Sequence, residues 1–149
     1  LSHAQQGSVV VELLTEPTPD IVAALGGLVS QLSTSAPPLS LAMLEQIVNS
    51  PATRLLLARH DGDVVGALTL VLYAIPTGLR GRIEDVVVDR ALRGRGVGAA
   101  LTEAAIELAR ATDVRTLDLS SSPARESANR LYRRLGFAAR DSVVYRLQP

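Results

Sequence analysis

Apolar residues along the chain fall into two rhythms. Runs at 9–14, 53–59, 64–72, 82–89, 115–120 and 142–147 are alternating or continuously apolar, the pattern of β-strands. Between them, apolar residues recur every three or four positions and so share one face of a helix. Ile21, Leu25 and Leu28 mark such a face in a helix that opens at Pro17-Thr18-Pro19-Asp20 and runs to about Leu32. A second helix covers 41–48, with Pro51 after its end. A third, 98–110, sets Leu101, Ala105 and Leu108 against Glu103, Glu107 and Arg110 on the opposite face. The fourth opens at Ser122-Pro123, a cap followed by proline at the first helical position, and Gly136 ends it near Leu135.

The connections complete the layout. Asp61-Gly62 between two strand-like runs is a hairpin signal. Residues 33–40, with two prolines, read as a loop, and 73–81, with Pro76 and two glycines, as a longer connection. The order β-α-α-β-β-β-α-β-α-β predicts one α/β domain of the α+β type, 9–149. It has a mixed, largely antiparallel sheet of about six strands flanked by about four helices. Residues 1–8 are polar, lack an initiator Met, and read as a disordered stretch or a remnant of truncation or cloning, outside the fold.

Composition narrows the chemistry. A chain of 149 residues, 47% apolar with one Phe and no Trp, buries a mainly aliphatic core without needing staples. The absence of Cys excludes a disulfide scaffold, a thiol nucleophile and Cys-ligated metals. Zero formal net charge argues against a general nucleic-acid or anionic-membrane binder. No apolar run has the length of a membrane span and no signal peptide is evident, so a cytoplasmic location is expected. Every basic residue is Arg, which excludes Lys Schiff-base chemistry and a Walker-type loop. His3 and His60 have no partners at metal or triad spacing, and no metal site is expected.

The segment Arg93-Gly94-Arg95-Gly96-Val97-Gly98, between a strand and a helix, concentrates the functional signal. A helix start presents unpaired N–H groups and partial positive charge, and glycines let an anion approach the backbone. A plain turn is the bland alternative. Gly94-Arg95-Gly96-Val97-Gly98-Ala99 also satisfies the dinucleotide pattern G-x-G-x-x-G/A, with Asp118 downstream for a ribose. Against it, 89–93 separate strand from glycines, and too little chain follows to complete a doubly wound sheet.

Taken as R-x-x-G-x-G, fixed at Arg93, Gly96 and Gly98, the segment resembles the acyl-CoA pyrophosphate loop of the GNAT superfamily of N-acyltransferases. The preceding Ile83-Glu84-Asp85-Val86-Val87-Val88-Asp89 resembles that family's fourth strand, and Ile83-Glu84-Asp85 resembles its hexosamine-phosphate branch. The run from Ala128 through Asn129 and Tyr132 to Gly136-Phe137 resembles its last helix and Y-x-x-x-G-F ending. The resemblance implies an acyl-CoA cleft where the fourth and fifth strands splay. The backbone of Val86, Val87 and Val88 would lie along the pantetheine arm, and Arg93, Gly94, Arg95, Gly96, Val97 and Gly98 would hold the pyrophosphate. Arg125 stands where the family often has a pantetheine-binding Asn, and Asn129, one turn later, is the substitute.

The implied reaction is N-acetylation of a small-molecule or peptide primary amine by acetyl-CoA, through direct attack on the thioester. Two protons must move. Glu84, its neighbour Asp85 or water takes one from the amine. Strict alternation would put Glu84 and Asp85 on opposite faces, with only one in the cleft. Tyr132 is the expected donor to the departing thiolate, since a phenol keeps its proton to about pH 10, above the thiol range of about 8.5. The alternatives are a buried packing role for Tyr132 and an acyl-CoA-binding sensor without turnover. Homodimerisation comes only from the resemblance.

Overall fold

The computed structural model describes residues 8–149. The expectation for 1–8 therefore falls, apart from Ser8, outside the described residues. The elements run β1 (Val9–Leu13), α1 (Pro19–Leu32), α2 (Leu41–Asn49), β2 (Thr53–His60), β3 (Asp63–Ile75), β4 (Gly78–Val88), a 3₁₀ turn (Arg90–Leu92), α3 (Val97–Ala111), β5 (Thr116–Asp118) and α4 (Glu126–Arg134).

Local chemistry explains the boundaries. The Thr18 hydroxyl accepts from the Ile21 N–H at 3.3 Å, and Pro19 supplies a preset φ at the first turn of α1. Ser40 caps α2 in the same way through the Met43 N–H at 3.1 Å. Asp61 and Gly62 both adopt positive φ, 52° and 86°, as a two-residue turn matched to strand twist requires. Gly136, φ 104°, follows the end of α4.

The strands form one sheet in the order β1-β2-β3-β4-β5, antiparallel from β1 to β4, with β5 parallel to β4. On one face, Leu56, Leu68, Leu70 and Ile83 pack on Val97, Leu101 and Ala105 of α3. On the other, Leu55, Leu57, Ala67 and Val87 meet Leu25 and Leu28 of α1 and Leu44 of α2. The result is a mixed sheet between two helical layers, as the alternating and 3.6-residue patterns imply.

Three expectations are corrected. The sheet has five strands among the described residues, not six, because 142–147 pair with nothing and lie exposed. The fourth helix starts at Glu126, because Ser122–Arg125 close a tight turn in which Ser122 accepts from the Ala124 and Arg125 N–H groups. Residues 73–81 are mostly strand: β3 runs to Ile75 and β4 restarts at Gly78, φ 127°. Continuous pairing with a neighbour overrides the turn residues there.

Candidate functional site

β4 changes character along its length. Arg80, Gly81 and Arg82 pair with Thr116, Leu117 and Asp118 of β5. Beyond Arg82 no strand among the described residues pairs that side of β4, while β3 continues along the other. Ile83 to Val88 thus present a free row of backbone groups, in the place expected for a splayed cleft. Arg82 sits where the strands part, with Nη2 donating to Ser120 Oγ at 2.6 Å and Nε to Glu84 Oε2 at 3.2 Å.

A β-bulge interrupts this free half. Thr69 pairs with Glu84 and Ala67 with Val87, so Asp85 and Val86 together oppose one residue of β3. Asp85 absorbs the extra residue with φ 49°, a left-handed conformation that Asp tolerates better than most residues. The bulge resets the alternation. Ile83 faces the α3 layer, yet so do Val86 and Val88, while Val87 faces α1 and α2. It also exposes both Glu84 and Asp85, so the expectation that alternation hides one of them fails.

After Val88 the chain enters the glycine loop through a short helical turn. Asp89 caps that turn by accepting from the Ala91 N–H at 3.1 Å, and Gln31 at the end of α1 accepts from the Arg90 N–H at 3.1 Å. Gly94 and Gly96 take φ of 79° and 82°, and Gly96 is the N-cap of α3 with no side-chain cap. The first bond into α3 is Ala100 N–H to the Gly96 carbonyl at 3.0 Å. Among the described residues no acceptor engages the N–H groups from Gly94 to Ala99. A Cβ at Gly94 or Gly96 would meet nothing within 4 Å. The loop is therefore an open cup of backbone donors at a helix start, suited to a pyrophosphate. Arg93 and Arg95 flank it, exposed and without ion pairs among the described residues.

Gly98 plays a different part. Its φ is ordinary, and a Cβ there would lie 3.8 Å from both Val88 Cγ2 and Leu131 Cδ2. The end of β4, the start of α3 and the middle of α4 meet at this point. One residue on, Tyr132 is 8% exposed, its ring edge-on to Phe137 with centroids 5.9 Å apart. No hydrogen bond among the described residues engages its hydroxyl. The Asn129 amide, expected to touch cofactor, donates to the Ser122 carbonyl at 3.0 Å and braces the turn before α4.

Arg82 was not singled out from the sequence. It looks like any polar residue on a strand, and only the lateral position of β5 gives it a role. Among the described residues no cluster of three His, Asp or Glu side chains suits a metal, and no helix is long and apolar enough to cross a membrane.

A family model described as "Acetyltransferase (GNAT) family" matches residues 14–137. The chain belongs to the GNAT acetyltransferase family. As a GNAT protein it is 35% identical over 116 residues to a glucosamine 6-phosphate N-acetyltransferase of Trypanosoma brucei brucei, covering 72% of this chain and 77% of that one. A crystal structure of a Trypanosoma brucei acetyltransferase superposes with a TM-score of 0.79 at 29% identity, covering 95% of this chain and all of the other. An aminoglycoside acetyltransferase from an uncultured soil metagenomic sample superposes at 0.82 over 95% of each chain; at 18% identity it speaks for the fold alone. GNAT enzymes use acetyl-CoA as cosubstrate, and this member is an acetyltransferase.

Proposed function

We propose that the protein transfers an acetyl group from acetyl-CoA to a primary amine, with the cofactor lying along Ile83–Val88 and its pyrophosphate in the cup at Gly94–Ala99. One observation carries the reading: the unpaired side of β4 leads directly into a loop of unpaired N–H groups. Free strand groups accept an extended, amide-bearing arm as they would a further strand. Acetyl-CoA supplies the thioester whose carbonyl carbon the amine attacks. The N–C bond forms and the C–S bond breaks; the amine gives up one proton and the sulfur gains one.

The chain's residues manage those protons. Glu84 is the proposed acceptor: Arg82 holds its Oε2, while Oε1 has no partner among the described residues. Tyr132 is the proposed donor, its ring packed edge-on against Phe137 and its hydroxyl without a partner among the described residues. Asn129, braced on Ser122, is at most a peripheral contact in this reading. The acceptor enters from the face of Arg82 and Glu84, toward α1 and the connection at 33–40. The trypanosomal relative supports an amino-sugar phosphate as the first acceptor to try.

A panel of primary amines, including glucosamine 6-phosphate and aminoglycosides, tests the proposal with acetyl-CoA and detection of released thiol. Thiol release matched by N-acetylated product is the expected result. Binding of acetyl-CoA without release on any amine would leave a sensor, and a larger thermal shift with NAD than with acetyl-CoA would remove the cofactor assignment.

A further inference from the structure

Each backbone donor on the way into the glycine cup has a partner, and one of those partners comes from far away. Asp89 N–H donates to the Val65 carbonyl of β3 at 2.8 Å, and Ala91 N–H to the Asp89 carboxylate at 3.1 Å. Leu92 N–H donates to the Asp89 carbonyl at 2.9 Å, and Arg93 N–H to the Arg90 carbonyl at 3.4 Å. The remaining donor, Arg90 N–H, reaches the side-chain carbonyl of Gln31 at 3.1 Å, 59 residues away in sequence. Among the described residues this is the one hydrogen bond between α1 and the turn that opens the cup.

The stretch of α1 that carries Gln31 is weakly built. Gly26 and Gly27 sit in mid-helix, where glycine is less stable than alanine. Space does not demand them, since a Cβ at either would meet nothing within 4 Å. Ser30 Oγ donates to the Gly27 carbonyl at 2.8 Å, a local back-bond of the kind that bends helices. Beyond Gln31, Leu32 is 38% exposed, and the connection stays at the surface until Leu39 packs on the core. Leu28 anchors the start of this last turn among buried residues, and Gln31 ties its end.

We infer that Gln31 is a positioning residue that registers the end of α1 and the connection at 33–40, the wall proposed for the acceptor, with the cup proposed for the cofactor. The inference rests on the proposed placement of acetyl-CoA. An anion seated on the N–H groups of 94–99 steadies the turn at 90–92, and Gln31 passes that order to the weak end of α1. The entropy of ordering the wall is then lost when the cofactor binds, and an acceptor meets a wall already formed. Coupling is reciprocal, so cutting the bond also weakens the cofactor.

The bond can be cut from either end. Gln31→Met keeps the side-chain length and removes the acceptor. Arg90→Pro removes the donor at the first position of the turn, where proline fits, and Asp89 before it is already extended at φ −52° and ψ 133°. Arg90→Ala keeps the N–H and is the reference for loss of the side chain. By calorimetry, Gln31→Met binds acetyl-CoA about three- to tenfold more weakly than the unaltered chain, and Arg90→Pro about as much more weakly than Arg90→Ala. In the Arg90→Pro background Gln31→Met costs nothing more, because the bond is already gone. Hydrogen exchange reads the transmission directly: acetyl-CoA slows exchange at 28–36 in the unaltered chain, while in Gln31→Met the protection stays at the cup. Absence of acetyl-CoA binding to the unaltered chain overturns the cofactor placement, and this inference with it. Binding to the unaltered chain with no protection at 28–36, equal protection there in Gln31→Met, or additive losses in the double variant overturns the role of Gln31 alone.

Discussion

From Arg80 to Arg82, β4 is bonded on both sides; from Ile83 to Val88, among the described residues, only β3 pairs with it. The open stretch is the longer, six residues against three, and both lie in one continuous strand. What separates them is their neighbour, because β5 spans only Thr116–Asp118. The doubly paired half ties the sheet together and is braced by Arg80, which donates to Thr116 Oγ1 at 2.7 Å and Thr77 Oγ1 at 2.8 Å. The singly paired half holds the bulge, both exposed acids and the approach to the glycine cup. A short neighbour, more than any special residue, makes one half scaffold and leaves the other open.

The contrast predicts that variants around the open half change function with the fold intact, and that variants in the shared core do the reverse. Gly96→Asp should have the largest effect. It places a carboxylate in the proposed anion cup and is expected to weaken acetyl-CoA by about a thousandfold, roughly 4 kcal/mol. The space is open, and the left-handed backbone strains Asp less than most residues, so the melting temperature should fall by only about a few degrees. Calorimetry giving undiminished affinity would reduce the loop to a turn.

Leu70→Ala addresses the opposite class. Leu70 is fully buried beside Leu68 and Ile83, and the cavity should cost about 2–5 kcal/mol of stability in a denaturant titration. Turnover per folded molecule should hold. A large loss of turnover at preserved stability would erase the division between the halves.

Tyr132→Phe keeps the ring packing on Phe137 and removes only the hydroxyl. The expected result is a fall in kcat of about ten- to a thousandfold, with acetyl-CoA affinity nearly constant, since the lost interaction grows in the transition state. Full turnover would make Tyr132 a packing residue.

Glu84→Gln should do less, about tenfold in kcat, because the adjacent, exposed Asp85 and solvent can take the proton instead. Its signature is the pH profile: the residual rate should climb with the fraction of free amine, because no side chain then takes the proton. Its pair with Arg82 is half-exposed, so stability should barely move. An unchanged profile passes the base role to Asp85 or water.

Much of this architecture was legible because local chemistry and periodicity agreed. The Asp61-Gly62 turn, the Thr18 cap, the core faces of α1 and α3 and the Gly136 stop each rest on neighbours within a few residues. The glycine loop was legible for the same reason. Features fixed by distant chain were not. Where β5 stops depends on lateral pairing, so the run at 115–120 overstated it. The bulge left only a faint trace, two adjacent acids in an apolar run, and alternation misassigned their faces. The commitment of Asn129 to Ser122 could not be read before the turn leading into α4 was seen. The run at 142–147 has strand character, but strand character does not supply a strand to pair with.

The bulge at Asp85 makes β4 behave like text with a shifted reading frame. Upstream of it every second residue addresses α3; downstream the same layer is addressed by the residues that would otherwise have been skipped. Straightening the strand at its present length would restore strict alternation from Ile83 and send Val86 and Val88 to the wrong layer, with Val87 traded in return, whereas removing Asp85 would leave all three valines on their present faces. Substitutions at Asp85 need only tolerate its backbone angle, and loss of that one residue takes an exposed acid from the strand without changing the face of any valine after it. The frame thus tolerates respelling or loss of that one letter, and not the insertion of another.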